Sequence, residues 1–185
     1  MPNSKSIAKR LFLIAAADLT ELRPETVDEV VCPLCLARFG IDAVEDGRLS
    51  REHIVPSALG GKLLTLTCRL CNNTLGSDLD RHLVNAMRGL EFDPEMYRRA
   101  VFRSAYLAAY ERLGYPYVFC AQGEYVRQII QGLEPAPEVV REACPVPEPK
   151  GEACVIPATK ERPFIQVTLR MRSAQTFYLT VHFPA

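Results

Sequence analysis

Apolar residues follow two rhythms along this chain, and each rhythm predicts a different kind of element. Near the start Ile7, Leu11, Ile14 and Ala15 recur at helical spacing, Ser4 or Ser6 can cap the start, and polar Asp18 to Glu21 follow, so an amphipathic helix docked on the core is expected within residues 1–28. Further on, Asp93-Pro94-Glu95 is a helix start and Gly114 a matching stop, which predicts a helix of about 20 residues. Its apolar row is Met96, Ala100, Leu107 and Tyr110, widened by Phe102, Tyr106 and Leu113, while Arg99 and Arg103 sit one turn apart on a polar side expected to face water. Tyr115 to Phe119 reads as a short strand and Glu124 to Gln131 as a short helix. At the end the period changes to two. Ile165, Val167, Leu169 and Met171 alternate with polar neighbours, and so do Phe177, Leu179, Val181 and Phe183 after a Ser173–Gln175 turn, predicting an amphipathic antiparallel β-hairpin whose apolar face must be buried.

Two stretches fit neither rhythm. Residues 134–163 are rich in proline, which removes ladder donors, and are expected to form a linker or a strap along the surface. Residues 29–92 combine Leu49 to Ser57, Gly60-Gly61 and Leu63 to Thr67, two short strands joined by a glycine turn, with a helical stretch from Cys68 through Arg88. The chain therefore divides into 1–28, 29–92, 93–133, 134–163 and 164–185, an α+β protein with a small central module, flanking helices and a C-terminal hairpin.

Composition narrows the function classes. Lys and Arg number 22 and Asp and Glu 22, a balance that excludes a polycationic nucleic-acid coat. The longest apolar run, Leu11 to Ala17, is seven residues, far short of the roughly 20 that a membrane-spanning helix needs, so no membrane association is expected. Lys5, Lys9 and Arg10 before that run and the alanines at its end also outline a short secretory signal, but helical spacing accounts for more of it.

Cysteine placement is more specific. Cys32-Pro-Leu-Cys35 and Cys68-Arg-Leu-Cys71 repeat one spacing, in which a tight turn aims two thiolates at one ion, and two such pairs complete a tetrahedral zinc shell. A redox pair would require a single copy in a βαβ setting. Cys120, Cys144 and Cys154 lack this spacing and read as buried thiols or bystanders. A structural site of four thiolates is expected in a reducing, cytoplasmic setting.

The 32 residues between the cysteine pairs hold Arg51-Glu52-His53-Ile54-Val55-Pro56 and Leu59-Gly60-Gly61-Lys62, and Cys71 continues as Asn72-Asn73. In type, order and spacing this segment resembles the HNH endonucleases, the ββα-metal nucleases, in their zinc-stapled branch, over about residues 32–80. The resemblance implies a ββα-metal core, with His53 as the general base that accepts a proton from water. Glu52 then matches the first ligand of a catalytic Mg²⁺ or Mn²⁺ ion, and Asn72 the closing ligand, with Asn73 as the alternative. Zinc on Cys32, Cys35, Cys68 and Cys71 would be purely structural, and the expected substrate is a phosphodiester in DNA, RNA being the alternative.

Arg51, Lys62 and Arg69 lie close to the motif and are the expected phosphate contacts, while a homodimer or a recruiting partner could supplement so little positive charge. The family's central Asn in the second strand has no counterpart in Leu63 to Thr67, where Thr65 or Thr67 are the available substitutes. The family's later Lys is likewise replaced, by Thr74 and Leu75. Asp78 and Asp80 suit the dipole of a first helical turn and are not counted as ligands, and His82 and His182 read as structural. The competing reading is a non-catalytic zinc module that binds nucleic acid or a protein.

Overall fold

The computed structural model describes residues 4–142 and 150–184, so Cys144 lies outside the described residues. Its organising element is helix α5, Pro94–Leu113. Asp93 caps it by accepting the backbone N–H groups of Glu95 at 2.8 Å and Met96 at 2.9 Å, Pro94 opens it, and Gly114 at φ 71° ends it. Every residue from Ala100 to Tyr110 is buried, because helices or sheet cover α5 on all sides.

Before α5 come helix α1 (Ser4–Leu22), strands β1 (Glu29–Val31) and β2 (Arg38–Gly40), the short helix α2 (Asp42–Glu45), and the antiparallel hairpin β3 (Leu49–His53) and β4 (Leu64–Cys68). The hairpin leads into a helical turn α3 (Arg69–Cys71), a π-helical turn over Asn72–Gly76, and helix α4 (Ser77–Met87). This is the expected strand, strand, helix order. In the loop between β3 and β4, Gly60 takes φ 80°, and a Cβ on Gly61 would stand 1.7 Å from the Val55 carbonyl oxygen, so only glycine fits there.

After α5 come helices α6 (Tyr115–Phe119) and α7 (Ala121–Gln131), then strands β5 (Val140–Glu142), β6 (Ala153–Ile156), β7 (Phe164–Arg172) and β8 (Thr176–Pro184). β7 and β8 form the expected hairpin, with Val167 opposite Val181. The proline-rich stretch adds β5 and β6 beside it, giving an antiparallel sheet in the order β5-β8-β7-β6. Ile165, Val167, Leu169, Met171, Leu179, Val181 and Phe183 are all buried in the core shared with α5, so the hairpin's apolar face is consumed within the chain.

Three local expectations change. Tyr115–Phe119 is a helix and not a strand: Gly114 breaks the chain direction, Asp18 accepts the Tyr115 N–H at 2.8 Å, and Pro116 suits a first helical turn. In α1 the buried row is Ala8, Phe12, Ala16 and Leu19, whereas Ile14 is 59% exposed, because small alanines let the helix approach β1, α2 and β4 on the neighbouring face. Arg103 does not face water: it is fully buried. No helix among the described residues is long and apolar enough to cross a membrane.

Candidate metal centre and catalytic pocket

Cys32 directly follows β1 and opens a turn, and Cys68 closes β4, so packing of the two small hairpins brings their cysteines together. The four sulfurs lie within 4.8 Å of one another, with Cys35 Sγ and Cys68 Sγ at 3.6 Å. A tetrahedral zinc with bonds of about 2.3 Å separates its sulfurs by about 3.8 Å, so these residues fit that ion with little movement. The Cys68 N–H donates to Cys32 Sγ at 3.3 Å and the Cys71 N–H to Cys68 Sγ at 3.4 Å, contacts that favour thiolates. Hydrogen bonding with Cys32 lowers the Cys68 thiol to about 6, while hydrogen bonds with Cys35, Cys68 and Cys71, together with burial, raise Cys32: crowded sulfurs share protons that a cation would displace. Two tyrosines hold the first pair from outside. Tyr106 donates to the Pro33 carbonyl at 2.8 Å, and Tyr115 donates to the Val31 carbonyl at 2.7 Å and accepts the Val31 N–H at 2.9 Å.

Beside this cluster, between the end of β3 and the start of α4, is a cavity of about 340 Å³ whose lining includes Arg51, Glu52, His53, Asn72, Asp80 and Arg81. His53 is the last residue of β3, opposite Leu64. Glu52 is 3% exposed: one carboxylate oxygen, Oε1, is paired with Arg103 Nη2, and Oε2 is buried without a partner among the described residues. Arg103 Nη1 binds Asp80 Oδ1 at 2.9 Å. Burial pushes the Glu52 and Asp80 carboxyls up, Arg103 opposes this for both, and the charge of His53 also pulls Asp80 down.

Asn72 opens the π-helical turn, where its Nδ2 donates to Ser50 Oγ at 2.9 Å and to the Arg51 carbonyl at 3.1 Å. With both donors directed at β3, the side-chain oxygen is turned toward Gly76. A Cβ on Gly76 would stand 3.2 Å from Asn72 Oδ1, 3.1 Å from Arg103 Nη2 and 3.7 Å from Glu52 Oε2. Glycine at this position therefore lets the Arg103 guanidinium, the Asn72 amide oxygen and the unpartnered Glu52 oxygen come close to the backbone together. Two hard oxygen donors on residues that line one cavity suit a divalent ion such as Mg²⁺ or Mn²⁺.

The structure thus gathers Glu52, His53 and Asn72 around one cavity, while Asn73 is exposed and lines the neighbouring groove. Arg51 borders both the cavity and that groove, and Arg69 lines the groove. Lys62 stands apart on the loop, where its backbone N–H donates to Glu152 Oε2 at 2.6 Å. Thr65 and Thr67 pair with Glu52 and Ser50, which puts them on the face of the hairpin opposite to His53, so neither replaces the missing Asn as a support for the imidazole. Sequence reasoning missed Asp80 and Arg103. Asp80 lies at i+8 from Asn72 and i+4 from Gly76, a helical repeat that marks it as sharing their face.

None of the curated proteins or solved structures compared with the chain matches it. Residues 32–88, from the first cysteine of the cluster to the end of α4, match the family model of the HNH endonuclease, and with the clustered thiols and the ββα order this shows that the chain carries an HNH endonuclease domain.

Proposed function

We propose that the protein is a metal-dependent endonuclease that hydrolyses phosphodiester bonds in DNA, with His53 as general base and with Glu52 Oε2 and Asn72 Oδ1 holding the ion. The observation that carries this reading is the buried, unpartnered Oε2 of Glu52, which lies near Gly76 with the amide oxygen of Asn72, both residues lining the same cavity as His53. A divalent ion held by Glu52 and Asn72 would supply charge neutralisation at the phosphodiester as it is cut. His53 takes a proton from water, the water oxygen attacks phosphorus in line, and the bond to O3′ breaks. Asn72 is held by Ser50 and the Arg51 carbonyl, so its oxygen needs no reorganisation. Arg51 and Arg69 line the approach and would contact phosphates on either side of the scissile bond, with Lys62 on the adjacent loop.

The deciding experiment is cleavage of supercoiled plasmid with Mg²⁺, Mn²⁺ or EDTA by the wild type and His53→Ala at equal zinc content. Cutting that requires the ion and is lost in the variant supports the reading. Equal activity of both proteins would sink it. The lack of the family's central Asn in Leu63 to Thr67 favours a second reading, a non-catalytic zinc module that binds nucleic acid or a partner protein, in which His53→Ala leaves binding unchanged and neither protein cuts.

A further inference from the structure

Arg103 is the bulkiest fully buried side chain among the described residues, and it belongs to a helix that begins at Pro94, beyond the 32–88 segment matched by the HNH family. A guanidinium at 0% exposure is tolerated only when its charge is matched. Here two carboxylates match it, one from each arm of the domain: Glu52 of β3 on Nη2 and Asp80 of α4 on Nη1. Both line the catalytic cavity. A buried ion pair seldom stabilises a core more than apolar side chains of the same volume, so core stability alone does not explain an arginine here. The guanidinium is a planar fork that fixes the directions of two acceptors at once, which the single ammonium of a lysine does not do.

We propose that Arg103 is a positioning residue for the ion site, holding Glu52 by Oε1 so that Oε2 stays free for the ion, and drawing Asp80 onto the same wall of the cavity. The proposal rests on the nuclease reading of the cavity. Arg103 also sets the charge of this cluster, in which two carboxylates and one guanidinium leave one net negative charge, with Arg51 and Arg81 elsewhere on the cavity lining.

The test is direct Mn²⁺ binding by the zinc-loaded full chain, followed by electron paramagnetic resonance, beside plasmid cleavage as a function of Mn²⁺. The proteins are the wild type, Glu52→Gln, Arg103→Met, Arg103→Lys and the double variant Arg103→Met with Asp80→Asn. Each is first checked for zinc content and circular dichroism. Folded Arg103→Met and Arg103→Lys are expected to bind Mn²⁺ about tenfold more weakly or worse, the range for residues that orient metal ligands. The double variant keeps the net charge of the site, so weak binding there assigns the effect to geometry rather than charge. If Arg103→Met does not fold, Arg103→Lys decides, since it keeps the charge and most of the volume.

A purely structural role predicts a lower melting temperature with Mn²⁺ affinity of the folded protein unchanged. Affinity within about threefold of wild type in Arg103→Lys and in the double variant, with Glu52→Gln still weakened, would overturn the inference and leave the nuclease reading intact. A wild type that neither binds Mn²⁺ nor cuts would sink the nuclease reading itself.

Discussion

Tyr106 on α5 donates its hydroxyl to the carbonyl of Pro33, 2.8 Å away between Cys32 and Cys35, and itself accepts a hydrogen bond from Arg127 at 3.1 Å. The first cysteine pair is therefore anchored by a helix that the HNH match does not include. Removing the hydroxyl in Tyr106→Phe leaves a buried carbonyl with one partner fewer. The expected cost is about 1–3 kcal/mol in denaturant unfolding, with zinc content unchanged and faster zinc loss to a chelator. Stability equal to wild type would show that the knuckle stands without this anchor.

Buried phenols give a pH dependence on the alkaline side. Burial pushes Tyr106 and Tyr115 up to about 12, and Tyr110 and Tyr117 also upward. In the unfolded chain a tyrosine ionises near pH 10, so the unfolded state gives up protons that the folded state keeps. The contribution of these groups is complete below about pH 10 and is lost as the pH rises through the folded values. Unfolding midpoints are expected to fall from about pH 10 upward, and tyrosinate absorbance near pH 11 to be smaller in the native protein than in denaturant. Identical native and denatured titrations would contradict this.

Gly76→Ala tests this close approach directly. The added methyl would crowd Asn72 Oδ1 and Arg103 Nη2 while leaving the thiols untouched. Zinc content and secondary structure are expected to persist, since alanine favours a helix over glycine by about 1 kcal/mol. Metal-dependent cleavage should fall by about tenfold or more, as for other losses of ligand placement. Undiminished cutting would place the ion elsewhere.

Arg51 borders the cavity and the adjoining groove, and no ion-pair partner engages it among the described residues. Arg51→Ala is expected to weaken DNA binding, measured in EDTA, for all sequences alike. The slope of log affinity against log salt should become shallower by about 1, the signature of one lost phosphate contact. An unchanged slope would remove Arg51 from the interface.

Features written in short stretches of sequence were the ones legible beforehand. Two Cys-x-x-Cys spacings, the Asp93-Pro94 cap with Gly114, and strict alternation from Ile165 to Phe183 each specify a structure within one or two turns of chain. The burial of Arg103 is different, because a polar row on a helix reads as solvent-facing unless its partner is known, and Glu52 lies 51 residues earlier. Tyr115 similarly looks like a strand residue by propensity, while its helix depends on Asp18, 97 residues away. Within the site, Glu52, His53 and Asn72 could be named from the motif, but which oxygen of Glu52 is left without a partner, and what stands near it, depend on the third dimension.

The proline-rich stretch has one further consequence. The two nine-residue strands, β7 and β8, lie in the interior of their sheet, and its rims are β5, of three residues, and β6, of four, with Pro157 directly after it. Brief rims interrupted by proline give another chain little backbone to zip onto. The sheet is thereby guarded against edge-to-edge aggregation.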